Sequence, residues 1–374
     1  MLHWVFERAA SRVTHRAIYP AGSRNPSARA RIALVALLIL SASMPILAQV
    51  KVAPPPAASY QGADRQQRLI EGARKEGSIS LYHSSPVENI TAFALAFEKK
   101  YGIKVRMWRS SSENILQRAV SEARAGRFEV DIIETNSREL EALYREKLLQ
   151  EVKSPYLADL IPQSIPPHRE WIGTQVNIFA FAYNTRLIKK TDIPGTFADL
   201  LNPRWKGSLG IEASDFDWFG GVVTELGEAR GLKLFRDIVA ANGVAVHTGH
   251  TLLANLVVSG EVPMALTVYN YKAEQLKNDG APIDWFVMAP GLARAVGVGL
   301  VRRAQHPNGA VLFFDFMLSD AQEMFLKLDL IPTSKKIKTP LNDFAFKFID
   351  PSVTLDQYAK WNKLYTDIML HQSR

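Results

Sequence analysis

The amino-acid sequence predicts an α/β protein of two lobes, each a mixed, mostly parallel sheet flanked by helices, with a ligand cleft between the lobes. Three observations predict this fold. From residue 64 onward, short apolar runs alternate with stretches of helical periodicity, which is the pattern of strand–helix–strand units. About 315 residues follow a proline-rich stretch near the N-terminus, and this is more than one core usually serves. The long extended segment Trp171–Asn184 can cross between the lobes.

Residues 64–180 are predicted to form the first part of lobe 1. The expected elements are a helix over 64–76, strand Ser78–His83, a helix carrying Ile90 and Phe93, strand Ile103–Trp108, a helix carrying Ile115 and Ala119, strand Val130–Glu134 and a helix carrying Leu140 and Leu143. Capping-box patterns start the helices at Ser85–Glu88, with Pro86 at the first helical position, and at Ser110–Glu113. Each of these helix starts therefore follows a strand directly.

Residues 181–290 are predicted to form lobe 2, and residues 291–374 to return to lobe 1 and add C-terminal helices. The lobe 2 elements are strands Leu209–Glu212, Val244–Val246, Met264–Tyr269 and Ile283–Met288, with helices near 217–229, 231–242 and 251–259. The return is predicted as strand Gly297–Arg302, followed by helices near 307–318, 320–329 and 354–371.

The N-terminus has the pattern of a secretory signal peptide over residues 1–48. A basic leader precedes the apolar run Ile32–Leu40, and small residues follow, so cleavage is expected near Ala48. The run is shorter than the roughly 20 apolar residues of a spanning helix. A membrane anchor is the alternative interpretation. Residues 49–63, which include three consecutive prolines, are predicted to be a linker.

Composition excludes several classes of function. The chain has no cysteine, which excludes a disulfide framework, a thiolate metal site and a lipid-bearing N-terminal cysteine. Its net charge of +8 depends on the leader: residues 1–48 hold six Arg and one Glu, so 39 basic and 36 acidic residues remain. A net charge of +3 gives no electrostatic case for nucleic-acid binding.

Polar side chains cluster where the predicted strands end and helices begin. Ligands of open parallel sheets bind at this edge, and free N–H groups at helix starts suit anions and polar ligands. These residues also cap helices without binding anything, so the functional argument rests on their clustering across both lobes. The candidate ligand-binding residues from these junctions are His83, Ser84, Ser85, Ser111, Ser112, Glu134, Thr135, Glu212, Asp215, His250 and Thr251, with Asn177 from the crossing strand.

Three aromatic residues complete the candidate site. Trp218 follows Asp215 and Asp217, and it could stack on a cationic ligand held by these acids. Tyr269 and Tyr271 are one residue apart on a predicted extended segment, so one should face the cleft and the other should point away.

Catalytic signatures are absent from the sequence. It contains no G-x-S-x-G elbow, H-E-x-x-H motif, P-loop or G-x-G-x-x-G after a strand. We therefore expect a binding protein that is not an enzyme and needs no cofactor. A secreted hydrolase built on Ser111 with His83 or His250 is one alternative, because a triad is recognised by geometry and not by sequence. A binding protein that feeds a sensor is another.

Several blocks between residues 66 and 340 resemble a known family. They are Ala94–Val105, Ala182–Thr185, Asp199–Gly207, Ala241–Val244, Ser259–Val262, His306–Asn308 and Phe314–Ser319. In order and spacing they are similar to periplasmic solute-binding proteins of ABC importers, in the class that includes ferric-iron, thiamine and 2-aminoethylphosphonate binders. The resemblance implies a type II periplasmic-binding-protein fold that closes about a hinge. It also implies a monomer that delivers its solute to inner-membrane permease subunits.

The resemblance leaves two classes of solute open. Ferric-iron binders of the family present adjacent tyrosines at the position of Tyr271, and here Lys272 takes the second place; an iron site would then use His83, Tyr269 and Tyr271. The alternative is an organic solute, such as a polyamine-like compound or an amino-bearing anion, which would suit both the acids and the helix starts. Its contacts would be Ser84, Ser85, Ser111, Ser112, Glu212, Asp215, His250 and Tyr271.

Overall fold

The computed structural model describes residues 56–339 and 346–370. The predicted signal peptide and residues 49–55 of the predicted linker lie outside the described residues. Within the described residues, no helix is both long and apolar enough to span a membrane.

The described residues form twelve α-helices and twelve strands, besides short 3-10 and π-helical turns. The helices are α1 (Arg65–Glu76), α2 (Val87–Tyr101), α3 (Ser112–Arg124), α4 (Ser137–Arg145), α5 (Phe216–Glu225), α6 (Glu228–Asn242), α7 (His250–Ser259), α8 (Asn270–Asn278), α9 (Pro307–Leu318), α10 (Asp320–Lys327), α11 (Pro351–Asp356) and α12 (Tyr358–Tyr365). The strands are β1 (Ser78–His83), β2 (Lys104–Arg109), β3 (Ile132–Asn136), β4 (Leu149–Gln150), β5 (Ile172–Asn184), β6 (Leu209–Glu212), β7 (Ala245–His247), β8 (Met264–Tyr269), β9 (Ile283–Phe286), β10 (Leu292–Val301), β11 (Ile331–Pro332) and β12 (Lys347–Phe348).

The strands follow the order β2-β1-β3-β10-β5-β8-β6-β7, and β5 belongs to both halves of this order. Residues 172–178 of β5 pair with β10, while residues 179–184 pair with β8 and β9. The outer strands of each half are parallel, and within this order β10 and β5 run antiparallel to their neighbours, while the short strand β12 pairs with β10 in parallel. The predicted two-lobed α/β fold and its long crossing strand are confirmed. The predicted lobe boundaries stay predictions.

The core on the β1 side is closed by α9, which lies between the sheet and the outer helices. Its sequence, PNGAVLFFDFML, has almost no polar face, and ten of its twelve residues are buried. Phe313 and Phe316 pack edge-on against Phe97 of α2, with ring centroids 5.1 and 5.6 Å apart. Helices thus cover the parallel strands and fix the position of the sheet edge at which these strands end.

Three local predictions differ in detail from the structure. The box at Ser85–Glu88 does not form, because α2 begins at Val87 after Pro86 and the Ser85 hydroxyl bonds elsewhere. The final helix is interrupted: α11 ends at Asp356, α12 begins at Tyr358, and a π-helical turn covers Thr366–Leu370. The returning strand starts at Leu292, five residues before the predicted start.

Candidate functional site

A cavity of about 540 Å³ lies where six strands end and six helices begin. The strands are β1, β2, β3, β6, β7 and β8, and the helices that follow them are α2, α3, α4, α5, α7 and α8. The cavity is lined by Ser84, Ser85, Pro86, Arg109, Ser110, Ser111, Ser112, Glu113, Asn136, Arg138, Gln175, Asn177, Glu212, Ser214, Asp215, Thr248, Gly249, His250, Thr251, Tyr269, Tyr271, Arg294 and Val296. The convergence of strand ends predicted from the sequence is therefore present.

The floor of the cavity is formed by the two long strands. Arg294 of β10 lies opposite Asn177 of β5, and Val296 lies opposite Gln175. Because side chains two residues apart on a strand share a face, all four point to the same side of the sheet. Gln175 and Asn177 are each 3% exposed, and Arg294 is 5% exposed. Strand pairing thus places a buried arginine beside two amide side chains.

Arg294 is held by a carboxylate from α5. Its Nη1 donates to Asp217 Oδ2 at 2.7 Å, and its guanidinium carbon lies 5.0 Å from the Phe179 ring centroid. Burial opposes ionisation of Asp217, yet the charges of Arg294 and Arg138 hold the pKa of this carboxyl below its usual range. The pair is therefore ionised inside the protein.

A second buried arginine comes from the start of α4. Arg138 is 5% exposed; it donates to Glu139 Oε1 at 2.7 Å and to Glu113 Oε1 at 2.7 Å. Its guanidinium carbon lies 4.5 Å above the ring of Phe216, the first residue of α5. Elements β10, α4 and α5 thus meet around a pair of buried cations, each with acidic partners.

The predicted serines line the opposite wall, and each already has a polar contact. Ser84 accepts from the Thr135 hydroxyl at 3.1 Å, and Ser112 accepts from the Asn136 amide at 2.9 Å. Ser111 caps α3 by accepting from the backbone N–H of Asn114. The helix starts behind these serines add positive potential to this wall.

Ser85 donates to Glu134, which lies beneath the loop of Ser84 and Ser85. The Ser85 hydroxyl is 2.7 Å from Glu134 Oε1, and the Glu134 side chain is almost wholly buried. Burial raises the pKa of Glu134 to about 7, although hydrogen bonds from Ser85 oppose the shift. Glu134 therefore supports the wall from behind and does not line the cavity.

The wall formed where β6 ends and α5 and α7 begin contains an acidic pair and a histidine. Glu212 accepts from the backbone N–H groups of Ser214 and Gly249, at 2.5 and 2.9 Å. His250 Nε2 lies 3.4 Å from Asp215 Oδ1. Burial opposes protonation of His250, but the charges of Asp215 and Glu212 raise the pKa of its ring. Burial and the charge of Asp215 also raise the pKa of the Glu212 carboxyl. One ligand atom from each of these three residues lies within 4.8 Å of the others.

The cavity wall holds seven buried polar atoms that have no hydrogen-bond partner among the described residues. They are Arg138 Nη1, Gln175 Oε1, Asn177 Oδ1, Asp215 Oδ2, His250 Nδ1, Tyr269 OH and Arg294 Nε. A buried polar atom without a partner costs about 1–3 kcal/mol, so native proteins rarely collect them. A larger open hollow of about 720 Å³ beside α1 has one such atom among the described residues, Arg65 Nε. The cavity between the lobes is therefore the candidate ligand site.

Most of the predicted site residues lie at this cavity, but four do not. Ser84, Ser85, Ser111, Ser112, Asn177, Glu212, Asp215, His250, Thr251, Tyr269 and Tyr271 line it, whereas His83, Glu134, Thr135 and Trp218 do not. His83 is 2% exposed, and burial lowers its pKa to about 4 although a hydrogen bond to the Ser85 carbonyl opposes this. The His83 ring is therefore neutral and lies behind the loop of Ser84 and Ser85.

Two expectations about aromatic residues are corrected by the structure. Trp218 is 2% exposed and packs among Phe181, Phe197 and Phe235, because the first turn of α5, to which it belongs, is buried in the core. Tyr269 and Tyr271 do not point in opposite directions. The strand ends at Tyr269 and α8 begins at Asn270, so both rings line the cavity, stacked with centroids 5.9 Å apart.

Sequence reasoning missed the charged floor of the cavity. Arg138 lies in the first turn of α4, where basic residues are normally solvated, and Arg294 lies upstream of the strand predicted at 297–302. Gln175 could have been found, because it shares a strand face with the predicted Asn177. No local signal marks the two arginines as buried.

The two-lobed α/β fold has a polar cavity between its lobes, and the cavity wall holds buried polar atoms without hydrogen-bond partners among the described residues. These features define a ligand-binding protein. The sequence profile of a family described as bacterial extracellular solute-binding protein matches residues 130–350. This is more than half of the chain, and the chain belongs to that family. Family membership makes it a solute-binding protein and not an enzyme, as the sequence predicts.

Two curated relatives are similar to the chain. "Iron uptake protein A1" of Synechocystis is 23% identical over 290 residues, which cover 73% of this chain and 80% of that protein. The "Fe(3+)-binding periplasmic protein" of Serratia marcescens is 26% identical over 203 residues, or 54% of this chain. The latter match spans 59% of the Serratia protein, less than two thirds of its length.

Solved structures share the fold at low sequence identity. Iron-bound HitA from Pseudomonas aeruginosa superposes with a TM-score of 0.68 at 23% identity, covering 78% of this chain and 99% of HitA. AfuA from Actinobacillus pleuropneumoniae, with fructose-6-phosphate bound, gives 0.70 at 20% identity, covering 79% and 99%. The shared fold is the type II periplasmic-binding-protein fold, and at this identity the likeness shows the fold alone.

Proposed function

We propose that the chain is the periplasmic component of an ABC importer and captures a small organic anion that also carries an amino group. The observation that carries this proposal is the set of seven unpartnered polar atoms around one cavity. The set contains both donors and acceptors. We call Arg138 and Arg294, whose unpartnered nitrogens are donors, the arginine pole, and we call Asp215, whose free oxygen is an acceptor, together with the adjacent Glu212, the acidic pole.

The arginine pole suits a carboxylate, phosphate or phosphonate. Arg138 Nη1 and Arg294 Nε are buried N–H donors, and charge-assisted hydrogen bonds to an anion are stronger than neutral ones. The helix starts of the serine wall favour the same charge. Because both arginines already have carboxylate partners, they are fixed in place before the ligand arrives. A preorganised pole of this kind loses little entropy on binding.

The acidic pole suits an ammonium group. Asp215 Oδ2 accepts nothing from the described residues, and the Asp215 side chain is 1% exposed. Gln175 Oε1 and Asn177 Oδ1 offer further acceptors on the floor. A ligand that placed an ammonium here and an anion at the arginines would satisfy both poles.

Capture requires the lobes to close, and delivery requires a permease. We place the division between the lobes as the sequence predicts, at residues 64–180, 181–290 and 291–374, with β5 and β10 as the connecting strands. Closure about these strands would enclose the solute. The predicted signal peptide supports a periplasmic location, and the family supports partnership with ABC permease subunits. A monomer is expected to suffice, since one chain provides both walls.

Ferric iron is the second candidate solute. Glu212, Asp215 and His250 offer clustered ligand atoms, Tyr269 and Tyr271 offer phenols, and two relatives are named for iron. Lys272 is no obstacle, because its ammonium lies 3.6 Å from Glu88 and does not line the cavity. Against iron, burial raises the pKa of Tyr271, which disfavours the phenolate, and Arg294 would lie close to a trivalent cation.

A thermal-shift screen of residues 49–374 tests both candidates with matched compounds. The panel pairs 2-aminoethylphosphonate with ethylphosphonate and with ethanolamine, and ferric citrate with citrate; it adds glycerol 3-phosphate, thiamine and spermidine. A ligand at 100 times its dissociation constant adds about 2.7 kcal/mol of stability, which moves the midpoint by at least about 2 °C. The proposal expects a shift with an amino-bearing anion that exceeds the shifts with its two partial analogues. A shift with ferric citrate but not citrate would support iron instead.

A further inference from the structure

The C-terminal helix α12 packs against the helix that starts at the acidic pole. Tyr358, Trp361 and Tyr365 are spaced to share one face of α12. The Tyr358 ring contacts Phe216 of α5 edge-on at 5.0 Å, and the Tyr365 ring contacts Phe219 at 5.5 Å. A chain segment remote in sequence therefore lies directly behind the wall of the cavity.

Tyr365 reaches through this packing to the backbone of a cavity residue. It is 1% exposed, and its hydroxyl donates to the backbone carbonyl of Glu212. Glu212 is the last residue of β6, and its carboxylate lines the cavity beside Asp215 and His250. Because a side chain follows the position of its own backbone, this hydrogen bond constrains the acidic pole.

The same C-terminal segment also contacts the other wall. Arg145 near the end of α4 donates to Asp356 Oδ1 and to the Ser352 hydroxyl of α11, each at 2.6 Å. The start of α4 carries Arg138, which belongs to the arginine pole. The C-terminal helices thus contact one element from each pole of the cavity.

We propose that Tyr365 is a positioning residue for solute binding: it holds Glu212, and so the acidic pole, in register with the arginine pole. This inference rests on the proposed function, since it assumes that the cavity binds the solute. The chemistry at stake is recognition of the ammonium end of the ligand. Loss of the hydroxyl should loosen that end and leave the anion end unchanged.

The test compares Tyr365→Phe with Tyr358→Phe in the chain of residues 49–374. Tyr358 is a matched control, because it lies on the same helix and 44% of its surface is exposed. The first measurement is amide hydrogen exchange of the ligand-free proteins. We expect amides of residues 213–217 to exchange about tenfold faster in Tyr365→Phe, as for loss of one buried hydrogen bond, and Tyr358→Phe to match the unsubstituted protein. Unchanged exchange at 213–217 in Tyr365→Phe would overturn the proposal.

The second measurement separates positioning from general destabilisation. Calorimetric titrations with 2-aminoethylphosphonate and with ethylphosphonate give the preference for the amine-bearing compound. We expect Tyr365→Phe to reduce this preference about two- to tenfold, whereas a purely structural role would weaken both compounds equally. An unchanged preference, with equal weakening of both, would overturn the positioning role. If the unsubstituted protein binds no panel compound, the proposed function fails, and the exchange comparison still decides the role of Tyr365.

Discussion

The guanidinium of Arg294 has one bonded and one unbonded nitrogen: Nη1 donates to Asp217 at 2.7 Å, and Nε has no partner among the described residues. Both side chains are almost wholly buried. Asp217 therefore fixes and neutralises the arginine from one side while a donor remains free on the other. This relationship is the basis of the proposed anion-binding pole.

Replacing Arg294 separates its two roles. Arg294→Gln should destabilise the fold by about 3–5 kcal/mol, because it leaves Asp217 charged and buried without its partner. The double substitution Arg294→Gln with Asp217→Asn should recover most of that stability but not the affinity, which should stay about 10- to 100-fold weaker. Urea unfolding measures the first effect and calorimetric titration the second. The exposed Arg106→Gln is the control and should change neither. Recovery of affinity in the double variant would contradict an anion contact at Arg294.

Asp215→Asn tests the acidic pole. The substitution keeps the shape of the side chain and removes the charge that would attract an ammonium group. Affinity for an amine-bearing anion should fall by about tenfold or more, while affinity for its analogue without the amine should be unchanged or higher. Titrations with 2-aminoethylphosphonate and ethylphosphonate make the comparison. An equal loss for both compounds would mean that Asp215 shapes the wall without recognising charge.

Glu134 should make stability depend on pH. Burial raises its pKa to about 7 in the folded protein, against about 4.3 in an unfolded chain. The folded state therefore binds the Glu134 proton more tightly than the unfolded chain does. The contribution of this proton to the free energy of unfolding is complete below the unfolded pKa, and it is lost as the pH rises through the folded pKa of about 7. The loss amounts to about 4 kcal/mol across that window, at about 1.4 kcal/mol for each unit of difference between the two pKa values.

The Glu134→Gln variant should not show this loss, because its side chain is neutral at every pH. Urea unfolding at pH 5 and pH 8 should give a smaller decrease for Glu134→Gln than for the unsubstituted protein. Glu71→Gln, an exposed change on α1, is the control. Equal decreases in the two proteins would show that Glu134 ionises normally.

Trp218 should matter for stability and not for binding. Because it is buried among three phenylalanines, Trp218→Ala should cost about 3–5 kcal/mol in the free energy of unfolding. Trp218→Phe should retain solute affinity within about twofold, since the ring does not line the cavity. A large loss of affinity in a stably folded Trp218→Phe would restore the stacking role that the sequence suggested.

The sequence predicted the alternation of strands and helices because periodicity and helix starts are local signals. It also predicted most of the cavity wall, since strand ends must meet at one edge of a sheet. It could not predict that Arg294 is buried, because that depends on β10 pairing with β5 over 100 residues away. The two tyrosines were misplaced for a different reason: the change from strand to helix at Asn270 has no marker in the sequence, and it ends the alternation of faces.

Native mass spectrometry of residues 49–374 with an equimolar mixture of the panel compounds tests the central claim most directly. We predict that the unsubstituted protein gains the mass of one amino-bearing organic anion per chain, and that the double variant Arg294→Gln, Asp217→Asn does not. Retention of the same compound by the double variant would contradict the account. A gain of the mass of iron alone, kept in the double variant, would replace it with the ferric-iron alternative.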